Sequence, residues 1–224
     1  MTESDHSDYS SDPDHFYSSS EQHRFRSSSF QYTAFNASDK DQVYNFLMKD
    51  PEILLSHGST RWQPFNRDFT DKLCDDLVEN TDLLVWIYRL PLYDGDNGEP
   101  PVGILFLKTL ENSNMLYRGS AEIGVVISAH LRGMGYATEA VEWAIHWAFH
   151  MAGLHRVEIK LPEWNDGAKK FFKTIGFLEE GRRRKVLFRG DKIWDEVHMG
   201  LLMGEWALRR QELSLSSYCD QGCS

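Results

Sequence analysis

The stretch that most restricts the fold of this chain is a β-branched run, Glu122-Ile123-Gly124-Val125-Val126-Ile127, that leads through His130-Leu131-Arg132-Gly133-Met134-Gly135 into helical spacing. Ala137, Ala140, Val141, Ala144, Ala148 and Met151 recur at intervals of three and four, which predicts a helix from Gly135 to about Ala152. Its face of small residues lets it lie close on a sheet. A strand, a glycine-bearing turn and a helix N-terminus together aim backbone N–H groups and the helix dipole at one point, and glycine lets an anion approach the main chain. The arrangement predicts a phosphate or pyrophosphate site to which Arg132 could add a charged contact. A tight turn with no ligand is the competing reading. The nucleotide-hydrolase loop needs Lys followed by Ser or Thr after its second glycine, and the dinucleotide fingerprint needs Gly or Ala where Thr138 stands, so neither pattern is met.

The rest of the chain supplies the sheet. Strand-like runs occupy Phe30 to Asn36, Leu83 to Leu90, Val102 to Leu110 and Ala121 to Ser128, with the second and third an expected antiparallel pair across the turn-rich Asp94 to Pro101. A further strand covers His155 to Leu161, and two more flank Gly190 and Asp191. Helical spacing follows Ser38 as an N-cap up to Pro51, covers Asp68 to Glu79, and runs from Asn165 to a stop at Gly176. This order predicts an α+β or mixed α/β fold on a single sheet. Residues 1–27, acidic, Ser-rich and nearly free of aliphatic side chains, are expected to be a disordered tail, followed by one domain over 28–208 and a C-terminal tail over 209–224.

A formal net charge of −10 argues against a surface built for nucleic acid or anionic lipid. Cys74, Cys219 and Cys223 have no close-spaced partners of the kind that hold zinc, and they read as reduced thiols. His146 and His150 stand four apart with no carboxylate or cysteine at useful spacing, so no metal site is expected. No apolar run reaches the length of a membrane span and the first residues lack the pattern of a secretory signal. The expectation is a soluble, non-secreted protein of the cytosol or nucleus.

Two blocks carry a family resemblance. Arg132-Gly133-Met134-Gly135-Tyr136-Ala137 resembles the Arg/Gln-x-x-Gly-x-Gly/Ala signature of the GNAT acetyltransferase superfamily. Asn165, Ala168, Phe172, Gly176 and Phe177 resemble its second block, Asn-x-x-Ala-x-x-x-Tyr-x-x-x-Gly-Phe. The blocks occur in the family's order, and weaker similarity runs from about Phe25 to Trp206. Phe25 to Asp39 and Gly190 to Trp206 look most like the branch of ribosomal-protein N-terminal acetyltransferases.

The resemblance implies a mostly antiparallel twisted sheet of six or seven strands flanked by about four helices, with strands splayed at the cofactor site. It implies that Arg132, Gly133, Met134, Gly135, Tyr136, Ala137 and Thr138 bind the pyrophosphate of acetyl-CoA through main-chain N–H groups. Val125, Val126 and Ile127 would pair with the pantetheine arm, and Asn165 and Phe172 would complete the cofactor site. The implied activity is acetyl transfer to a primary amine, on a small molecule or a peptide N-terminus, by a monomer or homodimer. The implied alternative is a non-catalytic acyl-CoA-binding module of the same fold.

Acyl transfer to an amine needs an unprotonated nitrogen and a proton for the departing thiolate. Glu122, in the strand that the resemblance places beside the thioester, is the candidate base. The family's tyrosine acid is replaced by Phe172, which has no proton to give. Tyr136 reads as a packing residue of the loop, and the basic run Gly181 to Lys185 as a solvated strand end. Trp62, Phe65, Trp194 and Asp195 would suit an aromatic or cationic acceptor without choosing one.

Overall fold

The structure is a computed structural model that describes residues 24–50, 66–90, 100–109 and 119–221. Most of the expected acidic tail, the loop after Leu90, and Trp62, Phe65 and Cys223 lie outside the described residues.

One seven-stranded sheet organises the chain: β1 (Phe30–Ala34), β2 (Thr81–Arg89), β3 (Gly103–Thr109), β4 (Ser120–Ile127), β5 (Arg156–Pro162), β6 (Leu178–Arg189) and β7 (Lys192–Leu202). The spatial order is β1-β2-β3-β4-β5-β7-β6. Every neighbouring pair is antiparallel except β4 and β5, which run parallel because a helical crossover joins them. The described helices are α1 (Lys40–Lys49), α2 (Arg67–Asn80), α3 (Tyr136–His146), α4 (Asp166–Ile175) and α5 (Met203–Gln221). This is the expected mixed α/β architecture.

Alternation along the strands divides the core between the two faces of the sheet. On one face Ile87, Leu105, Leu107, Ile123, Val157, Ile159 and Leu201 pack with Ala140, Val141 and Ala144 of α3, Phe172 of α4 and Trp206 of α5. On the other, Trp86 and Ile104 pack with Val43, Phe46 and Leu47 of α1 and Cys74 of α2. The second cluster covers only the β2–β3 end, so the β4, β5 and β7 strands carry charged side chains on that face.

Four local details differ from the sequence expectations. The first helix is introduced by Asn36 and Asp39, not Ser38: the Asn36 N–H donates to the Asp39 carboxylate at 2.8 Å and the Asn36 side chain returns the bond to the helix backbone. α3 ends at His146, and the last turn, Trp147–Met151, widens to a π-helix. α5 continues to Gln221, past residue 208, where the C-terminal tail was expected to begin. Arg24 to Ser27, counted with the tail by composition, join the fold. The Phe25 ring lies 6.2 Å from Trp143, and the Ser27 N–H donates to the Phe30 carbonyl.

Among the described residues, no helix is long and apolar enough to cross a membrane. Cys74 is fully buried, and burial pushes its thiol up to about 11. In a Cys219→Ser/Cys223→Ser variant, Cys74 is therefore expected to resist a disulfide reagent at pH 8 until the protein unfolds. Prompt labelling of the native protein would contradict that burial.

Candidate active site

After Ile127 the chain makes one 3-10 turn, Ala129–Leu131, and then passes through Gly133 and Gly135 with φ of +80° and +82°. These left-handed conformations strain any residue with a Cβ. A Cβ built at either position meets nothing within 4 Å, so conformation and not crowding calls for glycine there. α2 and α4 begin on Asn66 and Asn165, whose side-chain oxygens accept N–H bonds from Phe69 and Ala168 at 2.9 and 3.1 Å. α3 begins on Gly135 with no side-chain cap. The N–H groups of Thr138 and Glu139 turn back to the Gly135 carbonyl, whereas those of Gly133, Met134, Gly135, Tyr136 and Ala137 take no acceptor among the described residues. Five free N–H groups on a helix N-terminus make a cradle for an anion.

The Arg132 side chain is occupied differently. Its Nε donates to the Ile127 carbonyl at 3.1 Å and its guanidinium pairs with Asp50 beyond the end of α1. It staples the loop to β4 and α1, and the cradle is made by main chain alone.

Beside the loop the sheet opens. β4 and β5 pair only through Ser120↔Arg156, Ala121↔Val157 and Glu122↔Glu158. β4 then continues on β3 to Ile127, and β5 continues on β7 to Pro162. Ile123–Ile127 and Ile159–Pro162 thus form two walls of a cleft whose facing edges are not hydrogen-bonded to each other, an edge that an extended amide can pair with. Val125, Val126 and Ile127 lie on the wall that leads to the glycine loop. The Phe106 ring packs over Gly124 so closely that a Cβ there would stand 2.1 Å from it.

Glu122 sits at the vertex, in the last paired register. Its carboxylate is 2.5 Å from the Lys160 ammonium, which is 4.0 Å from Glu158, and the Glu122 and Lys160 side chains are 27% and 31% exposed. Arg156 pairs with Glu158 at 3.2 Å and with Glu180, and Lys108, opposite Glu122 on β3, pairs with Asp76 at 3.2 Å. The Arg156 guanidinium in turn holds the Glu180 carboxyl below the usual range. One strand further, His198 is opposite Lys160 and bonds Glu196 at 2.8 Å. Lys160, His198 and Glu196 were not singled out from sequence; the signal that could have found them is their even spacing along β5 and β7, which puts them on the face of Glu122.

The remaining expected residues have structural contacts. Asn165 caps α4. Phe172 is buried, edge-on to Phe171 at 4.9 Å and to Phe177 at 5.1 Å. Tyr136 packs edge-on against Phe30 at 5.2 Å. In the basic run Arg182 pairs with Glu179 and Glu163, Arg183 with Glu196, and Lys185 with Asp195. Trp194 lies against Trp164 at 5.8 Å. The His146 and His150 rings lie tilted at 35° with centres 4.5 Å apart, and among the described residues no group of three or more His, Cys, Asp or Glu could hold a metal.

The acetyltransferase (GNAT) domain profile matches residues 31–178. The chain is 35% identical over 115 residues to "Putative ribosomal N-acetyltransferase YdaF" of Bacillus subtilis, a match covering 51% of this chain and 58% of that protein. It is 24% identical over 152 residues to the spermidine N(1)-acetyltransferase of Vibrio cholerae, covering 66% and 87%. The chain spans about half the length of the first curated relatives it matches. Its fold is similar to the crystal structure of spermidine N-acetyltransferase from Vibrio cholerae in complex with CoA and spermine, with a TM-score of 0.63, 18% identity, and coverage of 80% of this chain and 98% of that one.

Proposed function

Because this chain belongs to the GNAT acetyltransferase family, we propose that it transfers the acetyl group of acetyl-CoA to a primary amine by direct attack in a ternary complex. The observation that carries this reading is the set of five N–H groups at the start of α3 that take no acceptor among the described residues, beside the open cleft between β4 and β5. The residues fit the cofactor's chemistry: the N–H cradle suits a pyrophosphate, and the cleft edges suit the amides of a pantetheine arm.

In this reading Gly133 to Ala137 hold the pyrophosphate by main chain, while Arg132 and Thr138 shape the loop around it. Val125, Val126 and Ile127 pair with the arm. Asn165 fixes the helix end that borders the far wall, and Phe172 packs beneath it. The thioester supplies an activated acetyl group. Glu122 takes the proton of the attacking nitrogen, directly or through one water, and Lys160 holds its carboxylate at the vertex. The alternative of a non-catalytic binding module draws on Phe172, which leaves that position without a proton donor.

The acceptor is a cationic amine, drawn to the carboxylates at the vertex. The names of the relatives supply two candidates, spermidine and a ribosomal acceptor. A cytosolic or nuclear setting and a monomeric or homodimeric form complete the reading.

Calorimetric titration tests it. Acetyl-CoA is expected to bind tighter than dephospho-CoA, and ATP, which lacks the arm, weakest of the three. Absence of heat with acetyl-CoA would mean that the glycine loop is only a turn.

A further inference from the structure

We propose that Lys160 is the general acid of the transfer, giving a proton to the sulfur that leaves the acetyl group. This rests on the acetyl-CoA reading above. Counting the last paired register, Glu122↔Glu158, together with the walls Ile123–Ile127 and Ile159–Pro162, the ionisable side chains of the cleft are Glu122, Glu158 and Lys160. Every other wall residue is apolar. Glu158 is engaged by Arg156 at 3.2 Å. Lys160 is the first residue beyond the last paired register whose side chain returns to the Glu122 face, and it bridges the cleft to Glu122 at 2.5 Å. Neither partner is buried in the core, so an entering molecule can reach both. Phe172 offers no proton, and of the three wall groups only the ammonium carries one to give.

The proton balance closes on the pair. The acceptor nitrogen, which has given its ammonium proton to solvent before it attacks, forms a bond to the acetyl carbon, and the C–S bond breaks with its electron pair remaining on sulfur. Glu122 takes the proton from nitrogen and Lys160 gives one to sulfur. The Glu122 carboxyl then passes its proton to the Lys160 amine across their contact, restoring carboxylate and ammonium. The net result is one proton moved from nitrogen to sulfur, with no other reactant. The charged and titratable groups around Lys160 are Glu122 and Lys108 on β4 and β3, Glu158 and Arg156 on β5, Glu180 and Arg183 on β6, Glu196 and the titratable His198 on β7, and Asp76 on α2, paired with Lys108.

The test uses the full chain with CoA, the free thiol, and follows thiolate ultraviolet absorbance against pH, with calorimetry to confirm that CoA is bound. An ammonium facing the sulfur lowers the titration midpoint of bound CoA by at least about one pH unit relative to free CoA. Lys160→Met returns the midpoint to the free value, whereas Lys160→Arg, which keeps the charge, leaves it low. A wild-type midpoint equal to that of free CoA overturns the proposal even if Lys160→Met fails to fold. An equal midpoint in wild type and Lys160→Met overturns it too. Failure of CoA to bind the wild-type protein at all is seen in the calorimeter and overturns the acetyl-CoA reading itself.

Discussion

Gly135→Glu is expected to weaken acetyl-CoA binding by more than about a hundredfold, an effect near 2.8 kcal/mol at about 1.4 kcal/mol per factor of ten. Two physical effects add. The backbone at residue 135 has φ of +82°, where a residue with a Cβ is strained, so the loop is pulled toward another shape. The side chain has room, since a Cβ there meets nothing within 4 Å, and its carboxylate is then free to fold onto the unpaired N–H groups of Gly133 to Ala137. A carboxylate at a helix N-terminus is itself stabilised, and it occupies the cradle with the charge the pyrophosphate would bring. Gly135→Ala separates the two effects. It keeps the strain without the competing charge, so its loss should be nearer tenfold. Calorimetry with a thermal melt as folding control reads both variants, and wild-type affinity in the glutamate variant would remove the cradle from the cofactor site.

Glu122→Gln is expected to leave acetyl-CoA affinity within about twofold of wild type while lowering kcat by about a hundredfold, the lower end of what a positioned base contributes. Glutamine has nearly the same shape and can still accept a bond from Lys160, so the vertex should keep its geometry. What it loses is the capacity to take a proton and the charge that balances the ammonium 2.5 Å away. The deficit should shrink as pH rises toward the range in which the acceptor amine is itself unprotonated. A rate unchanged across neutral pH, measured by thiol release with any turned-over amine, would exclude Glu122 as the base and leave the cofactor site standing.

Much of the fold was legible because its signals are local. The small-residue spacing of α3, the Asn165 cap and Gly176 stop of α4, and the hairpin around Gly190 and Asp191 each follow from a few adjacent residues. Local competition explains the misplaced cap: Ser38 is a good capping residue, but Asn36 and Asp39 form the reciprocal bonds. The guanidinium of Arg132 pairs with Asp50, 82 residues away, a contact that no local signal announces.

What the sequence by itself determined is the glycine turn: two glycines free to take the positive φ that the structure shows, followed by a helix with no polar cap, so that its first N–H groups are left open among the described residues. Which chemistry stands beside that turn was decided by tertiary structure. Glu122 and Lys160 are 38 residues apart on separate strands, and nothing near either announces the other. They meet because β4 and β5 lie parallel in one register for three residue pairs and then part, which places the first inward side chain of one wall against the last of the other. Strand register is a property of the packed sheet as a whole, and a one-residue slip would turn Lys160 to the opposite face.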